Sequence, residues 1–248
     1  ISAGNIKSGL ILRILNTLVK FIYKNSDKIL VSSNGFIDSI LKKGINKMKI
    51  EFFPQWAETI FKPLRPNKFL LDEIPKESFK IMFAGNIGEA QGFDSILKAA
   101  EKLKGNEKIH WVILGSGRKE KWVKEKILHY GIQGEFHMMG RYPLRDMPEF
   151  YSLADAMLIS LKKEYIFSLT IPAKVQSYLA CGKPILAMLD GEASNLIKDA
   201  EVGLTCNSDD SHQLAANALI MSKMEKQQIS QMGNNAFNLY IVLFLSSN

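Results

Sequence analysis

Apolar residues recur at helical spacing from the start of the chain. Leu10, Ile11, Ile14, Leu15, Leu18 and Ile22 predict an amphipathic helix over 6–24. Lys28–Ser32 then reads as a short buried strand, and Ser33 or Asn34 caps a helix that ends near Gly44. A second short strand, Ile50–Phe53, stops at Pro54. Four prolines, Pro54, Pro63, Pro66 and Pro75, mark the next stretch as a linker. From Phe79 the pattern is regular. Apolar runs at Phe79–Ala84, Ile109–Leu114, Glu135–Met139, Ala156–Ile159, Pro184–Met188 and Gly203–Cys206 predict strands. Helices are predicted between them, such as the stripe Phe93, Ile96, Leu97, Ala100 and Leu103, the segments 145–153 and 192–199, and a closing helix around Leu214–Leu219.

Strands alternating with helices specify an α/β, doubly wound, mostly parallel Rossmann-like sheet. Right-handed crossovers place the loops after the strands on one edge, where ligands bind in such folds. The proline-rich stretch divides the chain into 1–62, a 63–240 domain, and a 241–248 tail. That tail follows an apolar run beginning at Tyr240 and reads as a truncation or a foreign segment.

Composition narrows the class. The 248 residues are 46% hydrophobic and 23% charged, enough for one full α/β domain and part of another. The net charge of +7 lies wholly in residues 1–50, where nine Lys and Arg face only Asp27 and Asp38. Two readings of the first helix stand open: peripheral contact with an anionic leaflet, or core packing with a solvated basic side. Nucleic acid is disfavoured as a partner, because the chain beyond residue 50 is neutral. No apolar run of about 20 residues and no signal peptide is evident, so the expectation is a cytoplasmic chain, at most peripheral on the inner face of a bacterial membrane. Cys181 and Cys206 read as reduced packing residues. His110, His129, His137 and His212 show no metal-ligand spacing, so no metal site is expected.

Three loops carry the candidate chemistry. Gly85-Asn86-Ile87-Gly88-Glu89-Ala90-Gln91-Gly92 joins a strand to a helix, and its glycines let the backbone approach a phosphate or form a plain tight turn. Gly115-Ser116-Gly117-Arg118 lacks the third glycine of a dinucleotide fingerprint and has no Walker Lys-Ser/Thr pair. Ser168-Leu169-Thr170-Ile171-Pro172-Ala173-Lys174 leads into a helix. Pro172 suits its first turn and Thr170 its cap, while Lys174 adds charge to free amides that favour a diphosphate. Gly182 and Pro184 read as pure structure. Glu192, after the fifth of these strands, has two readings: facing a sugar or capping a helix.

In order, FAGNIG, ILGSG, MMGR, LADAMLIS and IPAKVQSYLACGKPI are similar to the donor domain of the retaining glycosyltransferase family 4, of GT-B architecture, over about 79–235. SDKILVSSNGF and KIEFFPQWAETIFKP resemble the exit of that family's N-terminal lobe, which makes 1–62 the end of an acceptor lobe plus linker. The nearest flavour is that of bacterial enzymes building O-antigen or capsule, including N-acetylfucosamine transferases. The resemblance implies a nucleoside-diphosphate sugar as substrate, UDP-linked, with no cofactor and no metal. It also implies a lipid-linked or glycan acceptor. The donor contacts it suggests are Gly85, Asn86, Gly88, Gln91, Gly117, Arg118, Arg141, Ser168, Leu169, Thr170, Ile171, Lys174 and Ser177. Four depart from the family's usual residues. Asn86 and Gln91 stand where an Arg and a Lys face the diphosphate, and Leu169 and Ser177 stand where glutamates contact the sugar and the ribose. Cationic contacts therefore fall to Lys174, Arg118 or Arg141. Catalytic residues are unassigned and expected partly in the rest of the N-terminal lobe. Alternatives are a non-catalytic nucleotide-sugar-binding subunit of a split membrane-associated transferase, and a sugar-nucleotide epimerase, whose carboxylate and histidine set is not found.

Overall fold

A computed structural model describes residues 9–66, 71 and 74–245. The start of the first helix, with Lys7, part of the linker, and residues 246–248 of the tail lie outside the described residues.

The chain opens with α1 (Gly9–Asn25), which buries none of its residues. β1 (Ile29–Val31) and β2 (Ile50–Phe52) pair in parallel, Ile29 opposite Ile50. α2 (Gly35–Leu41) lies between them in the chain and is shorter than expected. The Asn34 side chain makes no cap, and the Ser33 hydroxyl accepts the Gly35 N–H instead. Ile29, Val31, Ile40 and Ile45 form a small core of their own.

The second sheet holds six parallel strands: β3 (Phe79–Ala84), β4 (Ile109–Leu114), β5 (Phe136–Gly140), β6 (Ala156–Ser160), β7 (Ile185–Met188) and β8 (Gly203–Cys206), in spatial order β5-β4-β3-β6-β7-β8. Every residue of β4, β6 and β7 is buried, which explains why these strands are apolar apart from His110 and Ser160. α3 (Phe93–Lys102), α4 (Glu120–Tyr130) and α9 (Ser211–Lys223) cover one face through Phe93, Ile96, Val123 and Leu214. α5 (Met147–Leu153), α7 (Ala173–Ala180), α8 (Glu192–Asp199) and α10 (Lys226–Tyr240) cover the other through Phe150, Tyr178, Ile197 and Ala236. The α/β doubly wound reading thus holds.

Several local readings need correction. The proline-rich segment is not a free linker: Ala57 and Phe61 are buried, and the Phe61 ring stacks on Tyr151 at 5.6 Å. Two helices had no clear periodicity, the single turn α6 (Tyr165–Ser168) and the Gln- and Asn-rich α10. α10 continues through Ile241–Leu245 as a π-helical turn, so the apolar run after Tyr240 extends a packed helix. Thr170 does not cap α7. Its hydroxyl donates to Ile166 O and closes the α6 turn, and Pro172 sits in extended backbone at the cap position. His110 and His137 meet across β4 and β5, ring nitrogen to ring nitrogen at 2.8 Å. Burial lowers the pKa of His110.

Gly115 shows how tightly the strand ends are packed. Its φ is +142°, and a Cβ there would fall on the Gly85 carbonyl. Gly105, at φ +79°, has open space around it. Gly115→Ala should lower the unfolding free energy by about 3 kcal/mol or more in urea titrations. Gly105→Ala should lower it by only about 1 kcal/mol. Equal losses would contradict the close approach of the two loops.

Candidate functional site

The sheet opens at one place. β3 pairs with β4 along six residues but with β6 only at Ile81–Ala156 and Met82–Met157. Beyond Met82 the two strands diverge. The spatial order also reverses there, since the chain runs outward from β3 to β5 and then returns to β6 on the other side. A crevice at the carboxyl ends of the strands, at this switch point, is where ligands bind in open α/β sheets.

Divergence leaves Ala84 short of a strand partner on the β6 side. The hydroxyl of Tyr178, from α7, takes that place: it accepts the Ala84 N–H at 3.2 Å and donates to Ala84 O at 3.4 Å. Tyr178 is fully buried, and burial holds its phenol well above the usual value. Lys174 lies one helical turn earlier on the same face of α7. Its Nζ sits 3.8 Å from the centroid of the Phe83 ring, and its chain crosses Gly85. A Cβ at Gly85 would approach Lys174 Cε to 2.5 Å. Among the described residues, no carboxylate or carbonyl pairs with this ammonium, and burial pushes its pKa from the ordinary 10.5 down to about 7.

The glycine turns close around this point. The Asn86 amide lies between Gly88 and Gly117, where added Cβ atoms would come within 2.5 and 2.6 Å of it. Ile87 N donates to Ser116 O and Lys119 N donates to Ile87 O, lacing the two turns together. The Gln91 side chain accepts the Gly88 N–H at 3.2 Å. Glu89 was not singled out by sequence reasoning, yet it ties three loops. It pairs with Lys119 at 2.7 Å and with Lys162 from the loop after β6. Hydrogen bonds from Lys119 and then Lys162 hold its carboxyl at about 2. A run of alternating charges in loops from separate strands gave no sequence signal for this clamp.

The other expected contacts are unequally placed. Arg118 and Arg141 are exposed on the loops after β4 and β5, and neither is ion-paired. Ser168 donates to Tyr165 O. Leu169 and Ile171 are half-buried, Ile171 against the core. Ser177 is buried and its hydroxyl donates to Lys174 O at 3.0 Å, which leaves it only acceptor capacity for a further contact. Glu192, at the first turn of α8, lies within 3.5 Å of Ser33 Oγ. A separate cavity of about 670 Å³ opens at the opposite edge of the sheet. Its Lys80 and Lys183 ammoniums are held by backbone carbonyls and its Asp155 by the Lys80 N–H. Its polar groups are thus structural.

Fold and site together define a doubly wound α/β domain in which the glycine turns and Lys174 meet at the switch point. The chain belongs to the family described as glycosyl transferases group 1, whose sequence profile matches residues 68–239. Over 216 residues it is 29% identical to WbjE of Pseudomonas aeruginosa, named as a glycosyltransferase, covering 84% of this chain and 53% of that protein. It is 24% identical to WcaI of Escherichia coli (strain K12), named as a colanic acid biosynthesis glycosyl transferase, over 73% of this chain and 45% of that one. The chain thus spans about half the length of these curated relatives. The fold matches that of Anabaena HepE in complex with UDP and glucose, with a TM-score of 0.79 and 15% identity over 96% of this chain and 63% of that chain.

Lys174 makes stability depend on pH in a defined direction. Its folded value of about 7 lies below its ordinary 10.5, so the folded chain binds fewer protons than the unfolded chain between those limits. The penalty is full below the lower limit and fades as pH rises toward the upper one. Lys174→Met should be more stable than the parent at pH 6, by about 1 kcal/mol after allowance for solvent screening. Its unfolding free energy should also lack the rise between the two limits. Parallel pH curves for the two chains would contradict the placement of Lys174.

Proposed function

We propose that this chain is the donor-binding half of a retaining glycosyltransferase. It would hold a nucleoside-diphosphate sugar, UDP-linked, for transfer to a lipid-linked or glycan acceptor in bacterial cell-surface polysaccharide synthesis. The observation that carries this reading is the unpaired Lys174 ammonium crossing Gly85 at the switch point. In the proposed complex the diphosphate lies between the Gly85–Gly88 turn and the amides that begin α7. As the glycosidic bond breaks, the bonding pair leaves with the diphosphate, and Lys174 and those amides stabilise the charge it gains. Asn86 and Gly117 border the same space, Arg118 and Arg141 supply further positive charge from its rim, and Ser168, Leu169, Thr170 and Ile171 form the turn facing the sugar. Residues 1–62 are read as the end of the acceptor lobe plus linker. The Anabaena protein's complex with UDP and glucose and the colanic acid relative support the donor and the pathway class.

Peripheral membrane contact through 1–50 belongs to the same proposal. On α1, Leu10, Ile14, Leu18 and Phe21 are exposed beside Arg13, Lys20 and Lys24. Among the described residues, no helix is long and apolar enough to cross a membrane.

Calorimetry against UDP, with and without EDTA, tests the donor site. UDP should bind equally well in either buffer, and Lys174→Met should weaken it by about tenfold to a hundredfold. Full affinity in the variant, or binding that EDTA abolishes, would overturn the proposed metal-free contacts. For the membrane, the chain should sediment with phosphatidylglycerol vesicles and not with phosphatidylcholine ones. Reversing Arg13, Lys20 and Lys24 to Glu should release it. Indifference to headgroup charge would remove the membrane contact from the account.

A further inference from the structure

The turn that leads to Lys174 meets a carboxylate that the donor site does not yet use. Gly191 precedes α8 with φ +75°, and a Cβ there would overlap the Ser168 carbonyl. The Gly191–Glu192 turn therefore rests directly on the Ser168–Leu169 turn. The start of α2 closes the same point from the other side. A Cβ on Gly35 would come within 2.7 Å of Glu192 Cγ and 3.0 Å of the Leu169 Cα. Three segments far apart in sequence thus converge on Glu192, beside Leu169, which precedes Lys174 by five residues in the chain.

The chemistry of this junction is specific. Glu192 is half-buried and has no cationic partner among the described residues. Among the described residues its one hydrogen-bond partner is the buried Ser33 hydroxyl, at the long distance of 3.5 Å. A carboxylate offers about four acceptor positions, so most of its capacity is unused. Its place in the first turn of α8 favours the negative charge. The Leu169 side chain, beside it, offers no polar group. A sugar carried on the diphosphate would thus find one strong acceptor here.

We propose that Glu192 accepts hydrogen bonds from the hydroxyl groups of the donor's sugar, and that the site therefore takes neutral sugars and rejects uronic acids. The inference rests on the donor-site reading above. Glu192 acts here as a specificity-determining residue: it reads hydroxyls as donors and repels a second carboxylate. Ser33, from the other lobe, holds one of its oxygens in place.

Calorimetry on the whole chain separates this inference from its parent, with UDP, UDP-glucose, UDP-N-acetylglucosamine and UDP-glucuronate as probes. At least one neutral UDP-sugar should bind about tenfold more tightly than UDP, and UDP-glucuronate no more tightly than UDP. Glu192→Ala should erase the preference for the neutral sugar and leave UDP affinity unchanged. Glu192→Gln, which keeps the shape and removes the charge, should bring UDP-glucuronate closer to the neutral sugars. A purely structural Glu192 would lower the melting temperature of Glu192→Ala and leave the ratio of UDP-sugar to UDP affinity where it was. That outcome, or a parent chain with no sugar preference, overturns the inference while the donor site stands. Failure of all four nucleotides to bind overturns the donor site, and this inference with it.

Discussion

Strands β3 and β6 part after two paired residues, and the Tyr178 hydroxyl closes the gap by bonding both backbone groups of Ala84. A buried backbone left unpaired there would be expensive, so the phenol fixes where α7 meets the sheet. Everything proposed for the crevice depends on that joint. It sets the rotation of α7, and helical spacing then carries Lys174 over Phe83 and Gly85. The apolar floor beneath the ammonium has two effects. It lowers the pKa of the lysine, and it leaves the charge without a protein partner. A group held in that condition is poised to gain from an arriving anion.

Around the joint the loops are built to come close. Gly85 and Gly115 touch backbone to backbone, and Asn86 lies where side chains on Gly88 and Gly117 would be. Glu89 binds Lys119 and Lys162 and so links the turns after β3, β4 and β6 at their outer rim. The rim is therefore pinned by charge and the floor by apolar packing. Between them lies Lys174, which has no ion-pair partner among the described residues. The neutral residues at 86 and 91 fit this arrangement, because Lys174 brings the charge in from the facing helix.

The strands of the large sheet were legible because burial leaves them mostly apolar, with single interruptions such as Lys80, His110 and Thr205. Phe79–Ala84, Ile109–Leu114 and Gly203–Cys206 match the reading residue for residue. Burial hides less in helices whose polar face is uncharged, which is why the Gln- and Asn-rich α10 escaped notice. In the crevice, the glycine turns and Lys174 stood out as residue types at a strand-to-helix junction. The bonds that organise them did not. Tyr178 and Ala84 are 94 positions apart, and Glu89 and Lys162 are 73 apart, so no local pattern announces either pair. The cap reading of Thr170 failed for the opposite reason: its hydroxyl finds a backbone carbonyl four residues away, as the Ser177 hydroxyl finds one three residues away. Local satisfaction of that kind competes with capping and ligand contact.

The central claim is that burial over Phe83 lowers the proton affinity of Lys174 and that an arriving diphosphate restores it. Nitrogen-15 NMR of the Lys174 ammonium, titrated with pH in the free chain and again with saturating UDP, observes that event at the atom concerned. The account predicts a midpoint near 7 in the free chain, moving up toward the ordinary lysine value of 10.5 when UDP is bound. A midpoint near 10.5 in the free chain, or one that UDP leaves in place, would contradict it.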